Sequence, residues 1–178
     1  MRRVVVTGLG AVTPIGNDIP SYWEGLRSGK NGICPVTRFD TTGFKATLAA
    51  EVKGFDPTAY MEPSEVRKTD RFSQYAIAAA SQAMADSGLE GKIASERLGV
   101  YFGSGIGGFE TLAAEHQKLL EKGPRRVSPH FIPMMIANIA AGNIAIRFQA
   151  TGPCLPVTTA CATSTNAIGE AYRAIKHG

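Results

Sequence analysis

Cys161 lies where two residue patterns meet. Before it, Leu155-Pro156-Val157-Thr158-Thr159 is a short β-prone run. After it, Ile168, Ala171, Tyr172 and Ile175 recur at helical spacing up to Gly178. The spacing predicts Cys161 at or near the first turn of a helix. Unpaired N–H groups and the positive end of the helix dipole there favour thiolate over thiol. A thiolate on a strand-to-helix turn is a nucleophile for acyl transfer. The small neighbours Ala160, Ala162 and Ser164 leave room for a substrate to approach the sulfur. Position alone leaves a second reading equally open, because free cysteine is among the most buried residue types and is usually an inert filler.

A second pattern with chemical potential is Gly103-Ser104-Gly105-Ile106-Gly107-Gly108, which satisfies G-x-G-x-x-G after the β-prone run Leu98 to Phe102. A dinucleotide site also needs an acidic residue at the end of a second strand about 20 positions on. Glu121 falls instead in the helix-like run Leu119-Leu120-Glu121-Lys122. The competing account is that glycines let the loop pass close to a substrate or a second subunit. Gly8 to Gly16 opens similarly, but Thr13 takes the sixth place and Pro14 follows, so the dinucleotide reading fails there.

Basic residues gather at Arg67, Lys68 and Arg71 and again at Arg125 and Arg126. A solvated surface is the ordinary reading of such residues, and docking of an acidic partner is the other. The formal net charge of +4 suits an acidic macromolecule but, without aromatic interleaving, is too small to argue for nucleic acid.

The 178 residues are enough for one unit with a sizeable core, and 44% hydrophobic with 19% charged residues is a globular composition. The most apolar stretch, Ile132 to Ile146, is broken by Asn138 and Asn143 and gives no membrane insertion. Arg2 and Arg3 precede only three valines, which read as a first strand and not a signal peptide. Cys34, Cys154 and Cys161 have no C-x-x-C spacing, and His116, His130 and His177 are dispersed. Neither a disulfide framework nor a metal site is expected, and a reducing, cytoplasmic setting fits.

The elements that must position these residues follow in order. Arg3 to Thr7 reads as a buried strand, Ser21 to Leu26 as a short helix with Trp23 and Leu26 on one face, and Asn31 to Phe44 as a loop. Ala46 to Val52 reads as an edge strand, and Phe72, Ala76, Ala79, Ala80 and Ala83 mark a helix ending near Gly88. Thr111 to Lys122 reads as an exposed helix. Phe131-Ile132-Pro133 leads into another helix, with Pro133 suited to its first turn; it is apolar nearly all round, therefore buried in a core or a subunit interface, and runs to about Phe148. Strands alternating with helices predict an α/β layered fold.

The segment Val157-Thr158-Thr159-Ala160-Cys161-Ala162-Thr163-Ser164 resembles the nucleophile segment of the β-ketoacyl-acyl carrier protein synthases. Arg2 to Gly10, Gly103 to Gly108 and Gly123-Pro124-Arg125-Arg126-Val127-Ser128-Pro129 are similar to further stretches of that family. The order and spacing of the four best resemble the type II synthases, and the similarity covers the whole chain.

The resemblance implies a thiolase-like fold of two related α/β halves, with residues 1–178 an incomplete N-terminal half, truncated before its last strands. It implies decarboxylative condensation of a malonyl group with an acyl group held on Cys161, and homodimers. The substrates travel on the phosphopantetheine arm of acyl carrier protein, with no other cofactor and no metal. It places Ile106, Gly107, Phe131, Ile132 and Ala160 around the acyl pocket, with Phe131, Ile132 and Met134 near it at the dimer interface and plain core packing as the alternative for these three. Arg67, Lys68, Arg125 and Arg126 match its carrier-binding positions; Arg71 is nearby. The Cys161 N–H is the one oxyanion donor that can be placed.

The family's two active-site histidines, its lysine and its gating phenylalanine loop belong to the second half, so the isolated chain is expected to be inactive. Other expectations stay open: another thiolase-fold acyltransferase (a type I synthase or polyketide ketosynthase), a non-catalytic fragment that binds the carrier, and last a nucleotide-binding domain.

Overall fold

The structure, a computed structural model, describes residues 2–178. In chain order it forms α1 (Ile19–Arg27), β1 (Ile33–Pro35), β2 (Leu48–Ala50), α2 (Pro63–Val66), α3 (Arg71–Ser87), β3 (Val100–Gly103), α4 (Phe109–Lys122), α5 (Phe131–Met135), α6 (Ile139–Arg147), β4 (Cys154–Val157) and α7 (Thr163–His177), with short 3-10 turns between.

Helix α3 starts where the Asp70 carboxylate accepts the Phe72 N–H at 3.2 Å, and it stops at Gly88 in the left-handed conformation (φ 61°). Its alanine face packs on α6. Ala76, Val100, Ala140, Ala141 and Ile144 form the core, with Phe72, Phe102 and Phe148 around it. Small side chains on both helices permit this close approach.

Strands β3 and β4 pair in parallel, Val100 opposite Cys154 and Gly103 opposite Val157. Parallel pairing requires a crossover, and α4, α5 and α6 supply it. Val100 and Phe102 face the α3–α6 core. Gly103, on the opposite face by strand alternation, lies under Thr163 of α7. The sheet is thus covered by helices on both sides, as the α/β reading requires. A separate antiparallel pair, β1 with β2, sets Ile33 opposite Ala50, so part of the expected 31–44 loop is strand.

Several expectations are corrected. Arg3 to Thr7 is not a strand, and Val5 and Val6 are 56% and 79% exposed. A strand needs a neighbouring backbone, and this segment has none among the described residues. The chain just after it lies along α3 instead. The Leu9 N–H donates to Asp86 Oδ2 at 2.9 Å and the Ala11 N–H to Gln82 Oε1 at 3.0 Å. Gly10 passes so close that a Cβ would come within 1.9 Å of the Ala79 carbonyl oxygen.

The expected helix from Pro133 to Phe148 is two helices, broken at Ile136 (ψ 138°), with Pro133 in the first turn of α5 as expected. Its apolar surface is not all buried either, since Ile132 and Ile146 are exposed. Helix α4 is not simply exposed, because it buries Thr111 and Glu115. Trp23 and Leu26 do share a helix, α1, but both are exposed.

Candidate active site at the Cys161 turn

Strand β4 ends at Val157, and the chain must turn sharply to enter α7 at Thr163. Ala160 makes that turn in the left-handed region, φ 49°, which costs an alanine about 1–2 kcal/mol. Strain of this kind persists only where neighbours over-determine the backbone. Here the Thr159 N–H donates to Thr163 Oγ1 at 2.8 Å, Asn166 Nδ2 donates to Thr159 Oγ1 at 2.7 Å, and the Ala162 N–H donates to the Thr159 carbonyl at 3.0 Å. Thr163 is buried, so its hydroxyl is a fixed acceptor.

Cys161 sits within the resulting 3-10 turn, Ala160–Ala162, immediately before α7. Its side chain is exposed in residues 1–178. Ala160 and Ala162 are exposed beside it and do not cover the sulfur. The Cys161 N–H precedes the first hydrogen bond of the turn, so it has no helical acceptor. An accessible thiol, an unengaged N–H and a helix start are the parts that acyl transfer needs.

The glycine loop joins this turn to α5. At its start, a Cβ on Gly103 would lie 2.1 Å from the Val157 carbonyl oxygen and 2.3 Å from Thr163 Cγ2, so only glycine fits under the turn. Gly105 passes the Ala160 carbonyl, 3.9 Å from its own Cβ direction. Gly107 has φ 90° and donates its N–H to Ser104 Oγ at 2.9 Å, and the Gly108 N–H donates to the Met135 carbonyl at 2.8 Å.

Among the expected pocket residues, Ala160 is therefore beside the loop that carries Ile106 and Gly107, and Gly107 abuts the Met135–Ala137 junction at the end of the helix bearing Phe131 and Ile132. Phe131 is half-buried. Ile106 and Ile132 are 73% and 53% exposed.

The glycine loop does stand between a strand and a helix, as a dinucleotide fingerprint would. The N-terminus of α4, however, already holds an anion. Asp70 Oδ2 accepts the Thr111 N–H at 2.9 Å and the Thr111 hydroxyl at 2.6 Å, with Asp70 6% exposed. A pyrophosphate on that helix start would meet a buried carboxylate, which excludes the nucleotide reading. The sequence analysis missed Asp70. An aspartate before a helix signals only a cap, and its second partner is 41 residues away.

The basic residues fall in two places. Arg67 and Lys68 are exposed where α2 ends, and Arg125 and Arg126 are exposed in the 3-10 turn that follows α4. Among the described residues none of these four forms an ion pair. Arg71 differs: its Nε lies 3.2 Å from Glu110 Oε2, and Arg38 shares that carboxylate at 3.8 Å. Lys118, Lys122 and Arg126 line one shallow cleft. His116 lies on α4, His130 immediately before α5 and His177 at the far end of α7. Among the described residues no cluster of three or more His, Cys, Asp or Glu could hold a metal, and no helix is long and apolar enough to cross a membrane.

The whole chain, residues 1–178, matches the family model described as beta-ketoacyl synthase, N-terminal domain. It is 47% identical over 178 residues to the 3-oxoacyl-[acyl-carrier-protein] synthase 2 of Staphylococcus aureus (strain COL), covering 99% of this chain and 43% of the relative. The synthase 2 of Synechocystis sp. (strain ATCC 27184 / PCC 6803 / Kazusa) gives the same identity and coverage. The chain thus spans less than half the length of these curated relatives.

Among solved structures, it is similar to a beta-ketoacyl synthase from Burkholderia phymatum STM815, with TM-score 0.85 and 32% identity over 100% of this chain and 44% of that one. A type II polyketide-synthase ketosynthase, solved with its acyl-carrier protein and bound to the hexaketide, matches with TM-score 0.83 and 25% identity over 98% of this chain and 46% of that one. The thiolase-like α/β fold expected from the sequence is the fold observed. With its cysteine exposed on a strained strand-to-helix turn beside a glycine loop, this chain belongs to the beta-ketoacyl synthase family and matches its N-terminal domain.

Proposed function

We propose that residues 1–178 are the nucleophile-bearing half of a 3-oxoacyl-acyl carrier protein synthase of fatty-acid elongation. The observation that carries this reading is the exposed Cys161 behind left-handed Ala160. The Cys161 sulfur attacks the carbonyl carbon of an acyl thioester, and the carrier's pantetheine thiol leaves. Malonyl thioester then loses carbon dioxide, and the enolate carbon attacks the Cys161 thioester. A C–C bond forms, the Cys161 thiol is released, and the 3-oxoacyl product is two carbons longer. Negative charge develops on the acyl oxygen in both attacks, and the Cys161 N–H is placed to receive it.

Groups that drive decarboxylation lie outside residues 1–178 in this reading, since His116, His130 and His177 match none of the histidine motifs of the family. The substrates arrive on acyl carrier protein, and the reaction needs no metal or resident cofactor. The four unpaired cations Arg67, Lys68, Arg125 and Arg126 suit the acidic carrier. Ile106, Gly107, Phe131, Ile132 and Ala160 border the acyl chain, and the exposed Ile106 and Ile132 are covered in a homodimer or by the second half. The setting is cytoplasmic. A polyketide ketosynthase would use the same cysteine, but the polyketide ketosynthase solved with its carrier and the ishigamide ketosynthase are 25% and 32% identical, against 47% for the 3-oxoacyl synthases.

The test is condensation. Protein that includes the region following residue 178 in the relatives should form 3-oxoacyl product from acyl- and malonyl-carrier thioesters, and Cys161→Ala should abolish acyl transfer. Residues 1–178 alone should form none; condensation by the isolated chain would overturn this division of labour.

A further inference from the structure

We infer that Asp70 and Thr111 form a positioning clamp for the glycine loop beside Cys161, and through that loop set acyl-chain selectivity; the inference rests on the acyl-transfer reading above. The Asp70 carboxylate joins two helices. Oδ1 accepts the Phe72 N–H at the start of α3, while Oδ2 accepts both the N–H and the hydroxyl of Thr111 in the first turn of α4. Both residues are buried, at 6% and 9% exposure, so water does not replace these bonds readily.

The glycine loop enters α4 at this point. Gly108 is buried, and a Cβ on it would lie 2.9 Å from Asp70 Oδ2 and 2.7 Å from the Met134 carbonyl oxygen. The end of the loop is therefore held between the Asp70 carboxylate and α5. The other end is held under the cysteine turn, where Gly103 meets Val157 and Thr163. Between the two anchors lie Gly105, Ile106 and Gly107, with Ile106 projecting from the loop and exposed.

Between its two anchors the loop passes the Ala160 carbonyl beside the cysteine turn, and the clamp holds it at the α4 end. Neither residue touches a reacting atom. Their effect on chemistry runs through the position of the loop, where a shift of 1 Å can change rates by about 100-fold.

The experiment uses the longer protein with Asp70→Asn, Thr111→Val and the conservative Thr111→Ser. Hydrogen–deuterium exchange of the Gly107 and Gly108 amides is the first readout, because it does not depend on activity. Faster exchange there in Asp70→Asn and Thr111→Val, with wild-type exchange in Thr111→Ser and in α6, is expected. The second readout is kcat/KM for short against long acyl thioesters. The ratio should change by about tenfold in Asp70→Asn and Thr111→Val, and return in Thr111→Ser. Unchanged loop exchange, or an unchanged ratio with a uniform fall in rate, would overturn the inference while leaving Cys161 acylation intact. If wild-type protein is never acylated, the proposed function fails, and loop exchange still decides whether the clamp exists. If Asp70→Asn does not fold, Thr111→Val and Thr111→Ser carry both readouts.

Discussion

The Thr163 hydroxyl accepts the Thr159 N–H at 2.8 Å, joining the end of β4 to the first residue of α7 across Cys161. Helix α7 has no side-chain cap from Ala162, so this backward bond is what fixes the entry of the helix. Thr163→Val removes the hydroxyl at constant shape and strands the Thr159 N–H. Loss of about 1–2 kcal/mol is expected in denaturant unfolding. A slower rate of alkylation or acylation of Cys161 should accompany it, and Thr163→Ser should restore both. Wild-type values in Thr163→Val would show that the bond positions nothing.

Gly107 and Gly43 both have positive φ, 90° and 84°, but different surroundings. Nothing lies within 4 Å of a Cβ built on Gly43, whereas one on Gly107 would come within 2.5 Å of the Met135 carbonyl oxygen. Gly43→Ala should cost about 1 kcal/mol from backbone strain alone. Gly107→Ala adds displacement of α5 and should cost at least about 3 kcal/mol. Comparison of the two melting temperatures checks this, and equal losses would contradict the packing described for the loop.

These elements show what the sequence can reveal. Helix α3 was legible because its signals are local: alanines at helical spacing and Gly88 at the stop. The cysteine turn was legible for the same reason. Arg3 to Thr7 was not, because β-propensity says nothing about whether a partner strand is present. The break at Ile136 was hidden by an apolar run that suits one helix as well as two. The link from Asp70 to Thr111 was hidden by separation, since the bond spans 41 residues and neither residue is unusual in its own window.

Glu115 supplies the pH prediction. Its carboxylate is buried, accepts from Lys118 and accepts the Ser128 N–H at 2.7 Å, holding the basic turn against α4. The Lys118 hydrogen bond first, then the Ser128 N–H, depresses its pKa below the ordinary carboxylate value of 4.5. A depressed folded-state pKa contributes stability above the unfolded value that is lost as pH falls through the folded one. Asp18, Asp40, Glu51 and Asp56 are also depressed, but Asp18, Asp40 and Asp56 are exposed and Glu51 half-buried, so solvent screens them more. Wild type should therefore melt above Glu115→Gln at neutral pH, with the gap closing as pH falls below the ordinary carboxylate value of 4.5. A gap independent of pH would contradict this.

Arg125 and Arg126 stand on the turn that Glu115 holds, exposed and without acidic partners. Reversing both to glutamate should raise the KM for carrier-borne substrate about tenfold or more and leave kcat for a pantetheine thioester unchanged. The wild-type KM should rise with salt, and the variant's should not. Unchanged kinetics across salt would remove these arginines from the docking surface.

The central claim is that Cys161 is the acyl acceptor. Intact-protein mass spectrometry of the longer protein, before and after incubation with an acyl carrier thioester, tests it most directly. The account predicts one acyl adduct per chain, mapped to Cys161 and absent in Cys161→Ala. No adduct on wild type, or an adduct that survives Cys161→Ala, would contradict it.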